Sequence, residues 1–147
     1  TKAVAEHIAY VTGGDVWRIE PALPYSQSDL DYTTAESRSN REQHDSAARP
    51  QMLRDTPKLD HYSVVFVGYP IWWGIAPRII ESFLEGGKFK GKTVIPFCTS
   101  SSSPLGKSGE LLHKSAPDAD WKPGHRFAPG SGREEVAEWV NEVLGRK

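Results

Sequence analysis

Polar and apolar residues follow two rhythms along this chain, one close to helical and one close to a strand, and they exchange several times. Residues 1–14, TKAVAEHIAYVTGG, place Val4, Ile8 and Val11 on one side of a helical repeat and stop at Gly13-Gly14. DVWRIE, residues 15–20, alternates apolar and polar until Pro21, which predicts a strand. Residues 22–40 carry Ser, Thr, Asp and Tyr without a period and read as an irregular excursion. The stretch 35–52, AESRSNREQHDSAARPQM, is weakly helical and very polar; it predicts a helix on the outside that ends before Pro50.

The second half is more apolar. HYSVVFVGYP (61–70) and GKTVIPFCTS (91–100) are continuous apolar runs, the mark of strands buried on both faces; their cores are Ser63–Tyr69 and Lys92–Cys98. PRIIESFLEGG (77–87) predicts a short helix with Pro77 near its start and Gly86-Gly87 at its end. SSSSPLG (100–106) reads as a loop, KSGELLHKS as a short helix, and WKPGHRFAP as a weaker edge strand near His125–Phe127. GREEVAEWVNEVLG (132–145) is amphipathic, with Val136, Val140, Val143 and Leu144 inward. Glu134 and Glu135 open it, where acids favour the helix dipole.

Strands alternating with helices predict an α/β layer protein with a parallel sheet. In such sheets ligands bind outside the carboxyl ends of the strands, where the strand order reverses. Two unusual loops, YPIWWG and TSSSSPLG, sit at the carboxyl ends of the two most buried strands and are expected side by side. The first puts two indoles where a soluble protein normally puts small polar turn residues. Flat apolar rings on a rim suit stacking on another flat ring, and equally suit an interface anchor. The hydroxyls and backbone N–H groups of Thr99 to Ser103 suit carbonyl oxygens and ring nitrogens, although serines alone also make a plain linker. A planar heteroaromatic cofactor fits both loops at once.

Composition narrows the class. The 147 residues are 37% hydrophobic and 25% charged, as in one globular domain. Net charge is −1 with the signs interspersed, which argues against a nucleic-acid partner. The apolar stretch 62–80 is interrupted by glycines, prolines and Arg78, so no membrane span is expected. No leader pattern is visible, and the expected location is cytoplasmic. Cys98 is the sole cysteine, most simply a small buried hydrophobe, and the five histidines show no ligand spacing. Trp17, Trp121 and Trp139 lie within periodic elements and are expected to pack in the core or at its edge.

With the GYPIWWG loop and the PFCTS strand end, the chain resembles the flavodoxin-like family, including its quinone-reducing oxidoreductases. The likeness extends through PALPYSQSDLDY, the Arg-Pro after the polar helix, GKTVIPFCTS and GREEVAEWV. It implies a three-layer, doubly wound parallel sheet of order 2-1-3-4-5. It also implies FMN, with Tyr69, Pro70, Ile71, Trp72, Trp73 and Gly74 as one wall. Thr99, Ser100, Ser101, Ser102 and Ser103 would form the other, with Gly106 just beyond. Of the two indoles, Trp73 is expected nearer the flavin.

The chain departs from the family at two places. The family opens with a strand and an S-x-T-G-N-T phosphate loop; here the chain starts at what matches the last threonine, so Thr1 is the sole counterpart and strand 1 is missing. Either residues ahead of Thr1 supply that strand or another strand fills its place. Ser102 and Ser103, followed by Pro104, stand where the family usually has glycine. The implied function is that of an FMN-binding redox protein with a protein redox partner or a small acceptor such as a quinone, and a homodimer is open to it. The alternative is a flavodoxin-like interaction module that holds no FMN.

Overall fold

The structure is a computed structural model, and it describes residues 1–145. Helix α1 (Lys2–Thr12) stops where Gly13 turns left-handed at φ 73°. Helix α2 (Arg38–Gln43) leads through a long irregular segment to strand β1 (Val64–Pro70). Helix α3 (Arg78–Glu85), strand β2 (Thr93–Thr99) and the short helix α4 (Ser108–Leu111) follow. The chain closes with β3 (Asp120–Trp121), β4 (His125–Phe127) and helix α5 (Arg133–Val143).

All strand pairings in the sheet are parallel, as the alternation of elements predicts. β1 pairs with β2 from Val64↔Thr93 to Pro70↔Thr99. β3 and β4 both pair with the far edge of β2, opposite its first and last residues respectively. They are one edge strand interrupted at Lys122-Pro123-Gly124: Lys122 N–H still donates to Val94 O at 3.0 Å, but opposite the break β2 carries Pro96, which has no N–H to give across.

Side chains of β1 and β2 alternate between two cores, which is why both runs are apolar throughout. Val67, Tyr69, Val94 and Cys98 pack with Ile79, Ile80, Phe83 and Leu84 of α3. Ile95 and Phe97, with Val64 and Phe66 beside them, pack with Val4 and Ile8 of α1 and with Val136, Trp139 and Val140 of α5. A sheet with helices on both faces results: three layers, α/β. Trp139 is buried among Phe66, Phe97 and Phe127, and Val136, Val140, Val143 and Leu144 all lie on the inner side of α5, the last two partly buried. Trp17 packs against the α3 core, and Trp121 donates its Nε1–H to Ala116 O at 2.9 Å.

Two expectations need correction. Residues 15–20 form no strand of the sheet. Trp17 and Ile19 pack instead on the α3 core, and Glu20 to Ala22 meet Gln51 to Leu53 antiparallel around the Pro21↔Met52 bridge. The polar helix is also much shorter than 35–49, and although it lies at the surface it turns a polar face inward, with Ser39 and Gln43 buried. Hydrogen bonds to distant backbone, not apolar periodicity, draw it in.

The sheet closes at one tight approach. Gly68 lies opposite Phe97, and a Cβ added there would sit 2.2 Å from the Phe97 ring. Gly68→Ala is therefore expected to destabilise the fold by about 1–3 kcal/mol, the usual scale of core overpacking. A urea unfolding midpoint unchanged from the parent would contradict this packing.

Candidate functional site

The register of β1 against β2 sets Pro70 beside Thr99, so the two loops leave the sheet at the same level. Thr1 reaches the same rim, its hydroxyl 2.5 Å from that of Thr99. Helix α1 therefore points its N-terminus at the start of the second loop. Its first turn carries no acidic residue and no side-chain cap, which leaves its N–H groups open to an anion.

The first loop is a two-residue hairpin. Trp72 N–H donates to Ile75 O at 2.8 Å, and Ile75 N–H donates to Trp72 O at 3.2 Å. Between them Trp73 has φ 51° and Gly74 φ 79°. Two successive left-handed residues define the primed turn normally made by Asn-Gly. Trp73 is the one non-glycine among the described residues with positive φ. Such a conformation costs a bulky residue about 1–3 kcal/mol. The ring nevertheless stays 40% exposed, edge-on to His44 at 6.0 Å.

Trp72 is held quite differently. Its ring meets Tyr25 edge to face at 5.4 Å. Tyr25 in turn lies under the Arg38 guanidinium at 3.8 Å and donates its hydroxyl to Glu42. Burial, then the bond to the Glu42 carboxylate, raises the Tyr25 pKa and keeps it a donor. Gln43 spans the base of the hairpin, its amide donating to Trp72 O at 2.9 Å and Ala76 O at 3.1 Å. Arg78 locks α2 in place, donating to the carbonyls of Glu42 and Gln43 and pairing with Glu81 at 2.8 Å. Adjacent indoles thus part ways, one wedged inward and one open.

Tyr69 is turned fully into the core, where its hydroxyl lies 3.0 Å from that of Ser108 and burial raises its pKa to about 12. Only its backbone reaches the rim. Pro70 and Ile71 are partly buried, Ile71 against the α3 core. In the second loop Ser100 is fixed: Arg126 donates to its Oγ at 3.0 Å and its carbonyl at 2.7 Å, and Ser100 donates to Ser103 O. Ser101, Ser102 and Ser103 are exposed, and Gly106 turns left-handed at φ 54°. Cys98, just below, is fully buried, and burial pushes its thiol up to about 11, which suits packing and not redox chemistry.

Sequence reasoning missed the residues that build the rim from elsewhere. Gln43 and Arg126 bond backbone far along the chain, and no local pattern announces that. Leu30, Tyr32 and Ser39 join Ile71, Trp72 and Trp73 around a cleft of about 380 Å³. The four-residue spacing of Ser39 and Gln43 was the available signal that one polar face of α2 turns inward. Among the described residues no group of three or more His, Cys, Asp or Glu could hold a metal, and no helix is long and apolar enough to cross a membrane.

The flavodoxin family profile matches residues 1–143, and the chain belongs to that family. No curated protein matches it. Among solved structures, a candidate flavoprotein of Bacteroides uniformis is 39% identical, with 96% of this chain and 90% of that one covered and a TM-score of 0.91. Another from Bacteroides eggerthii is 41% identical, with 98% and 90% covered and the same TM-score of 0.91. A flavoprotein of Lactobacillus acidophilus, solved in complex with FMN, shares the fold at 19% identity, with 95% and 89% covered and a TM-score of 0.68.

The backbone at Trp73 can be tested without any ligand. Trp73→Gly and Trp73→Ala both remove the ring and differ only in what the turn demands of the backbone. At ordinary positions Ala is the more stable of the two by about 0.4–1 kcal/mol. Here the order is expected to reverse by about 1 kcal/mol, because left-handed backbone penalises any Cβ. Chemical denaturation that finds Ala more stable would rule the primed turn out.

Proposed function

We propose that this member of the flavodoxin family holds FMN at the carboxyl rim of its sheet and acts as a flavin-dependent redox protein. The observation that carries the reading is Trp73. An indole kept open to solvent on left-handed backbone contributes nothing to the turn that asparagine or glycine would not supply with less strain. Strain of that kind is retained where a ring has a partner to meet.

The residues present fit the cofactor. Pro70, Ile71, Trp72, Trp73 and Gly74, with the Tyr69 backbone, would form one wall. Thr99 to Ser103, with Gly106 beyond, would offer hydroxyls and N–H groups to the polar edge of the ring. Thr1 and the open first turn of α1 would face the phosphate. Arg126 keeps the second loop in one conformation by binding Ser100 twice, which lowers the ordering cost of any ligand docked there. The fold shared with the FMN complex from Lactobacillus acidophilus is consistent with this placement.

The flavin, when bound, supplies one- and two-electron chemistry that no side chain here provides. The protein's part is to stack on the ring, orient it and shape access to it. A carrier that docks basic partners profits from a strongly acidic surface, whereas this chain has a net charge of only −1. Charge therefore favours a small acceptor, such as a quinone, over a basic protein partner.

Purified protein is expected to be yellow, and titration of the flavin-free form with FMN should quench flavin fluorescence. Trp73→Ala should weaken binding by about 2- to 13-fold, the equivalent of 0.5–1.5 kcal/mol for one stacking ring. Trp72→Ala should act mainly on stability, since Trp72 is wedged on Tyr25. Colourless protein that quenches no flavin would leave the chain as an interaction module with a flavodoxin-like fold.

A further inference from the structure

Two unfavourable features sit side by side at the carboxyl rim. Trp73 holds left-handed backbone at φ 51°, where a bulky side chain is penalised. Next to it Gln43 is only 5% exposed, and its Oε1 is buried with no hydrogen-bond partner. The amide cannot turn over to relieve that oxygen. Its Nε2 donates to Trp72 O at 2.9 Å and to Ala76 O at 3.1 Å, so a flipped amide would set an oxygen against two carbonyl oxygens. Gln43 leaves its own acceptor unpaired in order to hold both carbonyls.

Those carbonyls belong to the two legs of the hairpin. Trp72 and Ile75 close it by exchanging backbone bonds, and Ala76 follows directly. One nitrogen bonded to both legs fixes how far they splay and how they twist. That twist selects the turn: a two-residue loop between tightly twisted legs is primed, with positive φ at both loop residues. Legs free to splay accommodate an unprimed turn, in which the first loop residue has negative φ.

The grip has a firm base. Arg78 of α3 donates to the carbonyls of Glu42 and Gln43 at 3.1 and 2.8 Å, and it pairs with Glu81. Gln43 is thus tied to the body of the fold and does not follow the hairpin. The indole of Trp73, by contrast, is loosely held: it is 40% exposed and edge-on to His44 at 6.0 Å. Backbone, not ring packing, decides where it stands.

We infer that Gln43 is a positioning residue: by bonding both legs of the hairpin it keeps Trp73 in the left-handed conformation that presents the indole at the rim. In what this means for flavin the inference rests on the FMN reading above; in what it says of the turn it does not.

Urea unfolding of the full chain tests the turn directly. Trp73→Gly and Trp73→Ala are compared in the parent and in a Gln43→Met background, where the side chain keeps its length and loses its donors. In the parent, the glycine variant should have the larger folding constant by about fivefold. With Gln43→Met the ratio should fall to about one or below, because a relaxed turn no longer favours glycine. A side chain that only adds stability would lower both variants equally, so an unchanged ratio overturns the inference. Gln43→Asn, one methylene too short to reach both carbonyls, should lower the ratio in the same way if the methionine variant does not fold.

Titration with FMN gives a second readout. Gln43→Met should weaken FMN on the same scale as Trp73→Ala, about 2- to 13-fold, and should weaken it no further in a chain that already carries Trp73→Ala. Full FMN affinity in Gln43→Met, or two losses that simply multiply, would also overturn the inference. A chain that takes no FMN at all ends the flavoprotein reading, and the glycine-to-alanine ratio then decides alone whether Gln43 sets the turn.

Discussion

The parallel ladder between β1 and β2 is the constraint on which everything else in this molecule depends. Each strand is covered on both faces, so its register cannot slip by one residue without moving every apolar side chain into the opposite core. Gly68 admits the Phe97 ring and thereby pins that register at one point. Because register is fixed, so is the level at which the chain leaves the sheet. Pro70 and Thr99 end side by side, and two loops of quite different character begin from a common base.

Above that base the two loops are held by different means. The hairpin closes on itself through paired backbone bonds and is then gripped from behind by Gln43, while α2 is tied down by Arg78 and Glu81. The serine loop has no closed turn of its own and relies on Arg126, which reaches across from β4. Both devices use a long side chain to satisfy backbone carbonyls at the rim, where the ladder has run out of partners. The local strain at Trp73 persists because so much around it is already fixed.

Much of this was legible in the sequence, and the limits have physical causes. β1 and β2 could be read because double burial leaves an unbroken apolar run that few other structures produce. The helices at either end could be read from their period and their glycine stops. Residues 15–20 also looked like a strand, since alternation reports a half-buried ribbon but says nothing of whether a neighbour exists to pair with it. The cleft could not be read at all: Leu30, Tyr32 and Ser39 lie in a polar, aperiodic stretch, which is brought to the hairpin by the Gln43 bonds to Trp72 and Ala76 and the Tyr25–Trp72 contact. Nor could the primed turn, because its usual Asn-Gly signature is replaced by the very residue that makes it unusual. The pairing of YPIWWG with TSSSSPLG was visible, whereas the burial of the Tyr69 ring beneath it needed coordinates.

The interruption between β3 and β4 bears on how the molecule behaves in a crowded solution. A sheet edge that offers an unbroken row of donors and acceptors invites a strand from another molecule. Here the outer edge is split into pieces of two and three residues, with a charged lysine and a proline between them. An incoming strand finds no continuous template, and Pro123 gives it no N–H at the midpoint. The break that makes this strand so weak a signal in the sequence thus also guards this edge of the sheet against pairing with another molecule.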